Sequence, residues 1–476
     1  MRAIQCRVFL ASPTDTTAAS GWALNLRFIK LIHYSSIDDW SPYSILGSNV
    51  KYNDSFIMKS IGSFLKRNKT PIKIQDNIVY KRPTIKMYNQ GIKIRDEEIG
   101  KNIGTKNQFL IIKGQFLLSK IDARNGAFGV VPSDCDSAII TGNFWTFDVD
   151  YSVINPHFLN LLTSTTEFHK YCQSASVGTT NRNYLQEKRF LNTKIPLPPL
   201  EIQNRLVNEY NQLMKTAEDQ EAKAKQLEQD IENYLLSELG IEIQKTEIKK
   251  GLQFVRFKDV IYWGLDKIFK TSFKISNYDI IKLRDRIDFV MDAFRGKSPK
   301  YSSNSNAIIL NQKCIRWNEI ELEHAKTVDD SWLKFINKNN FTTENDIVIN
   351  STGEGTIGRC SVITKPYSNL MYDSHVLLLR LNELYFNPKY FALLFNSKYV
   401  QNQINEVKSA QSTKQTELGL DNLFKLEIPL PPLDKQNEIA EKIEAMRTEI
   451  KELKNSAESN KAKAKENFEK EIFGVN

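Results

Sequence analysis

From Leu206 to Tyr234 apolar and small positions recur in steps that alternate four and three: Leu206, Tyr210, Leu213, Ala217, Gln220, Ala224, Leu227, Ile231 and Tyr234. This spacing holds one stripe of an α-helix against a partner, and its repetition makes a heptad seam. The same register returns near the C-terminus as Ile439, Ile443, Met446, Ile450, Leu453, Ala457, Asn460, Ala464 and Asn467. Alanines on both seams let two backbones approach closely, which suits the helices pairing with each other. Gly240 and Gly474 stand where helix C-terminal stops are expected. At about 1.5 Å of rise per residue each helix is a rod of roughly 50–60 Å.

The rest of the pattern is shorter and strand-like. In the first half strands are expected at Lys73–Gln75, Ile78–Tyr80, Gln108–Ile112, Phe116–Leu118 and Ile139–Thr141. In the second half they are expected at Ile308–Leu310, Asp346–Asn350, Cys360–Thr364 and His375–Leu379. Short helices follow Asn155-Pro156 and Asn387-Pro388. Each half then reaches a proline run, which ends any strand or helix before it because proline lacks a donor and restricts its predecessor. The fold class is α+β in two tandem domains, with two long coiled-coil-like helices.

The two halves are copies of one unit. Ile195-Pro-Leu-Pro-Pro-Leu200 recurs as Ile428-Pro-Leu-Pro-Pro-Leu433, 233 residues later. Trp40 and Lys59 match Trp263 and Lys282 at a separation of 223, and Arg67-Asn-Lys-Thr-Pro71 matches Arg295-Gly-Lys-Ser-Pro299 at 228. Gly129 matches Gly358 at 229, and Asn155-Pro156 with Leu161-Leu162 matches Asn387-Pro388 with Leu393-Leu394 at 232. The offset grows in one direction, as a few short insertions would make it. Asn68 aligns with Gly296, and both residue types tolerate positive φ, so a turn is expected there. Identities cluster at turns and the proline run, while the segments between diverge: a shared scaffold with different contacts.

Composition narrows the function. A chain of 476 residues is too long for one core. Residues 201–240 hold nine acids and four bases, and 434–473 hold ten acids and nine bases. The helices therefore carry −6 against a total of +9, which leaves +15 on the α+β domains. An excess of that sign suits a polyanion such as DNA. The five cysteines (Cys6, Cys135, Cys172, Cys314 and Cys360) and five histidines are scattered, so no zinc cluster or disulfide framework is expected. Buried reduced thiols fit a cytoplasmic location. No apolar run approaches the roughly 20 residues of a membrane span. Residues 1–36 read as an N-terminal extension.

Motifs of enzymes fail on inspection. Gly353-Glu-Gly-Thr-Ile-Gly358 matches GxGxxG after a strand, but a dinucleotide site needs a helix opening at its last glycine. The β-branched run to Thr364 and then Pro366 forbid one, so a glycine-rich hairpin is expected. The proline run resembles the Asn-Pro-Pro-Tyr signature of adenine methyltransferases only in its prolines; leucine cannot hold an exocyclic amine. No phosphate loop, HExxH pattern or Ser/His/Asp arrangement is present, and no catalytic residue or metal site is assigned.

Two α+β domains, each followed by Pro-Leu-Pro-Pro-Leu and a heptad helix, resemble the specificity subunits of type I restriction-modification systems. The resemblance runs from about Trp40 to the C-terminus and includes Gly178-Thr-Thr180 and Gln411-Ser-Thr413 ahead of the proline runs; the usual glycine is replaced by Gln411 in the second. It implies target recognition domains at 37–194 and 259–427, each reading one half of a split double-stranded DNA site. The proline runs and spacer helices would occupy 195–242 and 428–476, with a linker at 243–258 and the helices antiparallel about a pseudo-twofold axis. It further implies two methyltransferase subunits holding S-adenosylmethionine, restriction (translocase and nuclease) subunits using ATP and Mg, and no cofactor in this chain.

Glycine-rich turns flanked by Arg, Lys, Asn and Thr can approach a groove and reach base edges or phosphates. The candidates in the first domain are Lys120, Arg124, Asn125, Thr179, Thr180 and Arg182. In the second they are Ser351, Thr352, Glu354, Arg359, Thr413, Lys414 and Gln415. Arg67, Lys69, Arg295 and Lys297 are candidates for phosphate contacts. Two other readings stay open: a non-enzymatic scaffold whose repeated domains bind protein, and a stand-alone methyltransferase, which would bind S-adenosylmethionine directly.

Overall fold

The internal repeat of the sequence is a repeat of strand order in the computed structural model of the chain. The structure describes residues 52–87, 90–174, 176–177, 184–244, 272–275, 277–334, 336–337, 340–353, 355–407 and 417–474. It divides into two compact units, Met1–Glu218 with Ala457–Asn476, and Asp219–Ser456. Each unit thus takes in a stretch of both long helices.

The first domain contains β1 (Ile57–Ser60), β2 (Leu65–Asn68), β3 (Thr70–Lys73), β4 (Val79–Ile85), β5 (Ile92–Ile99), β6 (Asn107–Leu110), β7 (Phe116–Ser119), β8 (Phe128–Val130), β9 (Ile139–Ile140) and β10 (Phe144–Val149). Then come α1 (Pro156–Thr163), α2 (Thr166–Ser174), β11 (Ser176–Val177), β12 (Tyr184–Leu185), α3 (Glu187–Asn192), β13 (Lys194–Leu197) and the 39-residue α4 (Leu200–Glu238). Its main sheet has the order β2-β10-β7-β8.

The second domain contains β14 (Ile241–Gln244), β15 (Ser272–Ile275), β16 (Ile280–Lys282), β17 (Val290–Arg295), β18 (Ile308–Leu310), β19 (Lys326–Thr327), α5 (Asp330–Leu333), β20 (Ile347–Asn350), β21 (Cys360–Val362), β22 (Met371–Tyr372) and β23 (Val376–Leu381). It closes with α6 (Pro388–Phe395), α7 (Lys398–Val407), α8 (Leu420–Leu423), β24 (Glu427–Pro429) and the 41-residue α9 (Leu433–Phe473). Its main sheet, β17-β23-β20-β21, repeats the first domain's order strand for strand. The smaller sheets differ: β3-β6-β9 is antiparallel throughout, whereas in β19-β18-β22 the β18–β22 pair is parallel. The scaffold is shared, and the insertions on it are not.

The proline run acts as an edge strand in both copies. Ile195 pairs with Lys59 in β1–β13, and Ile428 with Ile281 in β16–β24. A glutamine three residues into each following helix then ties the run to the domain. Gln203 is fully buried; its Oε1 accepts from Asn155 N at 2.8 Å, and its Nε2 donates to Pro198 O at 2.7 Å and Val153 O at 3.2 Å. Gln436 repeats this with Asn387 N at 2.8 Å, Pro431 O at 2.9 Å and Tyr385 O at 2.8 Å. Asn204 and Asn437 each accept from the capping asparagine at 2.7 Å. Asn155 and Asn387 meanwhile cap α1 and α6, with proline as the first helical residue.

The heptad seam is as the sequence predicts over most of its length. Ala217, Ala224, Ala457 and Ala464 are buried, as are Leu206, Ile439, Ile443 and Ile450. Inside the second unit Lys223 meets Glu449 and Lys435 meets Glu238, both at 2.7 Å, so the helices run antiparallel there. Inside the first unit Arg205 meets Glu471 at 2.5 Å. Asn467 departs from expectation: it is exposed, and its neighbour Phe468 is buried against Phe158 with a centroid distance of 5.8 Å. The last turns of α9 dock on the first domain's core, which outranks the heptad. Gly240 and Gly474 end the helices at φ 63° and 61°, as expected.

The expectation of a positive-φ turn at Asn68 and Gly296 is overturned, because neither residue lies in that region. Asn68 closes β2 and its amide donates to Asp148 at 2.8 Å. Gly296 is required for another reason: a Cβ there would stand 2.0 Å from Asp373 O. The described cysteines, Cys135, Cys172, Cys314 and Cys360, are buried. Among the described residues no helix is long and apolar enough to cross a membrane.

Candidate nucleic-acid interface

In the second domain β20 is a wholly buried strand whose chain then turns through residues 351–359 into β21. This is the hairpin expected from the glycines. Gly353, Gly355 and Gly358 have φ of 101°, 78° and 82°, where a side chain would be strained. Arg359 folds back on the turn, donating to Gly355 O at 3.0 Å, with its guanidinium 5.8 Å from the ring of the half-exposed Trp317.

Pairing of β20 with β23 sets Asn350 opposite Val376, which brings His375 alongside the turn. Thr352 Oγ1 is 2.7 Å from His375 Nδ1, and Thr352 forms a strand bridge with Glu417. Arg295, at the end of β17, pairs with Glu417 and donates to Ser374 O at 3.0 Å. Lys297 is exposed next to it, its backbone forming an isolated parallel strand bridge with Asp373. Arg295, Lys297, Thr352, His375 and Glu417 therefore form one patch, assembled from three strand ends. Burial pushes the Asp373 carboxyl beneath it above its ordinary value, opposed by the N–H of His375.

Ser351 lies under this patch. It is fully buried, its N–H donates to His375 O at 2.9 Å and its carbonyl accepts from Leu418 N at 2.8 Å. Its contribution is to hold the turn. Ser351 Oγ, Asn350 Oδ1 and Arg359 Nε are buried with no partner among the described residues, an arrangement that ordered water completes at polar interfaces.

In the first domain the equivalent turn joins β7 to β8. Ser119 Oγ donates to Asp122 at 3.1 Å, Asn125 N–H donates to Asp122 O at 2.8 Å, and Gly126 takes φ 71°. Arg124 and Asn125 sit on the 3-10 turn Ala123–Asn125, both partly exposed. Lys120 is the junction of three segments: its N–H donates to Asn143 O at 3.1 Å, its carbonyl accepts from Leu185 N at 2.8 Å, and its ammonium lies 5.6 Å from the Tyr184 ring.

The phosphate-contact candidates separate. Lys69 is exposed between β2 and β3. Arg67 is turned inward: it donates to Asn68 O and Thr146 O at 2.8 Å, lies over Trp145 and Phe147, and reaches Glu187 at 3.6 Å. Burial lowers its pKa, and Glu187 partly restores it. A guanidinium so engaged braces β2 against β10, whereas its counterpart Arg295 stays half exposed. Thr179, Thr180, Arg182, Glu354, Thr413, Lys414 and Gln415 lie outside the described residues.

Sequence reasoning missed His375, Glu417, Trp317 and Tyr184 as members of these patches. They come from strands and loops distant in sequence, and only the sheet register joins them. The buried glutamines had a visible signal: Gln203-Asn204 and Gln436-Asn437 extend the proline-run repeat by four positions.

These features define a class, a duplicated α+β recognition protein whose copies share a scaffold and differ in the loops they present. The family described as type I restriction modification DNA specificity domain matches residues 53–229 and 275–463, and the chain belongs to that family. Its role is to supply DNA sequence specificity in a type I restriction-modification system. Three solved structures are similar. A chain from a structure on complex assembly and conformational transition of the type I R-M system has 16% identity over 88% of this chain and 96% of its own, with a TM-score of 0.53. The HsdS subunit from Thermoanaerobacter tengcongensis has 16% identity over 90% and 99%, at 0.47. The type I S subunit from M. genitalium has 11% over 90% and 97%, at 0.45. No curated protein matches.

Proposed function

We propose that the chain recognises a bipartite double-stranded DNA site, each domain reading one half, and that it performs no chemistry itself. The observation that carries this reading is the main sheet: the same four-strand order occurs twice, while the second sheets and the loops around it diverge. A common frame with different loops is what two readers of different half-sites need. The paired helices would hold the readers a fixed distance apart.

Two methyltransferase subunits would bind, bringing S-adenosylmethionine, and restriction subunits would bring ATP and Mg, in the cytoplasm. Each domain offers a partner subunit an open hollow beside its proline run. An open hollow of about 600 Å3 lies beside Leu430–Leu433 in the second domain. One of about 620 Å3 lies beside Asn155, Pro156 and Leu200 in the first. One of the similar structures concerns complex assembly of the type I R-M system, which supports association with partner subunits.

The test is to coexpress the chain with its methyltransferase partner and map methylated adenines in host DNA. One split motif with a fixed gap is expected. Exchanging the Lys120–Gly126 turn or the 351–359 turn for that of a related subunit should change one half-site and leave the other. Methylation without this chain, or a motif without two halves, would sink the reading and favour a protein-binding scaffold.

Lengthening both helices checks the spacer role separately. One added heptad in each, seven residues at about 1.5 Å, adds about 10 Å. The mapped gap should grow by about three base pairs of roughly 3.4 Å. An unchanged gap would show that the helices do not set it.

A further inference from the structure

We propose that the tip of the β4–β5 hairpin is a second DNA-contacting element of the first domain, carrying Lys86 and Lys93 to phosphates beside the Lys120–Gly126 turn. The inference rests on the reading of this domain as a DNA reader. It adds an element that neither the repeat nor the glycine turns point to.

The direction of the hairpin follows from two contacts. Near its base Lys81 Nζ donates to Asp134 O at 3.3 Å. Near its tip Ile92 lies so close over Gly129 that a Cβ on the glycine would stand 2.9 Å from Ile92 Cδ1. Asp134 follows β8 and Gly129 lies within it, so the hairpin runs back along β8 towards Phe128. Phe128 is where the chain arrives from the Lys120–Gly126 turn. The Ile85–Ile92 pair is the last rung, and Lys86 N–H donates to Gly91 O at 3.0 Å beyond it. Gly91 takes φ 86° with nothing within 4 Å of its Cβ position, so the chain is open at that residue.

Charge is distributed along the hairpin. Towards the base Arg82 pairs with Asp96 at 2.5 Å and Glu98 at 3.5 Å, Arg95 pairs with Asp96 at 2.9 Å, and Lys81 lies opposite Glu97. At the tip Lys86 and Lys93 are exposed and form no ion pair among the described residues. The hairpin is neutralised where it meets protein and cationic where it ends. Ile85, Ile92 and Ile94 pack with Ile111, Leu117 and Val131, which fixes the ribbon in place. A two-stranded ribbon is narrow enough to enter a major groove or lie along its edge. Between β17 and β20 the second domain has β18 and β19, which belong to two rungs of a three-stranded sheet instead.

The test uses the full chain in complex with its methyltransferase subunits and a duplex carrying the mapped methylation motif. K86Q/K93Q is compared with K73Q/K101Q, which removes the same charge from exposed positions near the hairpin base. Loss of two phosphate contacts should weaken binding about 30-fold near 0.15 M salt and reduce the slope of log K against log salt by about 1.8. The K73Q/K101Q complex should bind as the parent does. Equal behaviour of the two double variants, whether both weaken or neither does, overturns the hairpin's role while the parent's binding stands. Failure of the parent to bind DNA would overturn the reading of the domain itself. Thermal melting of each variant at the parental temperature confirms that binding changes are not unfolding.

Discussion

Gln436→Leu is expected to destabilise the second domain by about 3–5 kcal/mol, since two carbonyls and one amide lose their partners and each buried orphan costs about 1–3 kcal/mol. The amide is Asn387 N–H and the carbonyls are Tyr385 O and Pro431 O. Leucine nearly matches glutamine in volume, so the loss measures hydrogen bonding and not a cavity. Gln203→Leu should act in the first domain in the same way, through Asn155, Val153 and Pro198. Gln436→Glu gives a second, directional readout. Its carboxylate would face two carbonyls, so its folded pKa would be raised above the unfolded one. The variant should then be least stable at neutral pH and recover as pH falls through the raised value. Urea denaturation at several pH values checks both. A loss under 1 kcal/mol for Gln436→Leu would mean that water replaces the clamp.

Asp346→Ala is expected to cost about 3–5 kcal/mol, the usual result of removing one partner of a buried ion pair. Asp346 is 1% exposed at the start of β20; it accepts from Arg380 at 2.7 and 2.8 Å and from Thr343 N at 2.7 Å. The Arg380 pKa is raised, chiefly by Asp346 and then by Asp292. Asp292 also meets Arg380, at 3.1 Å, but is half exposed, so Asp292→Ala should cost no more than about 1 kcal/mol. The pair joins β20 to β23, the strands whose far ends hold Thr352 and His375. Hydrogen exchange of amides in β20 and β23 should therefore accelerate in Asp346→Ala and stay near parental in Asp292→Ala. Equal destabilisation by both would show that the bidentate geometry is not the source.

Much of the architecture is legible in local pattern. Heptads, capping Asn-Pro pairs, terminal glycines and duplicated proline runs are all short-range features, and each stands where the sequence predicts, except that Asn467 leaves the seam and the proline runs begin inside strands instead of only ending them. Strands β6, β7, β9, β20 and β21 were also legible from compact apolar runs. By contrast β2, Leu-Lys-Arg-Asn, shows no alternation, and it is a strand because β10 pairs with it. β10 is missed although its Trp145, Thr146 and Phe147 are all buried, as are the residues of β7 and β20.

The candidate interface was legible as turns but not as a patch. Glycines at positive φ mark where the chain reverses, and lysine, arginine and asparagine beside them mark what it presents. That Arg67 points inward while Arg295 points out follows from what stands nearby: Trp145, Phe147 and Glu187 in one domain, Ser374 and Glu417 in the other.

Composition and periodicity alone establish a duplicated α+β protein with paired helices and cationic domains, because helix seams, turns and repeats are set within a few residues of chain. Which side chains share a surface is set by strand register and by insertions between strands. Those depend on pairings across 26 to 122 residues, such as Asn350 with Val376 or Arg295 with Glu417. No local pattern encodes such a pairing, so the reading surface exists only once the sheets have formed.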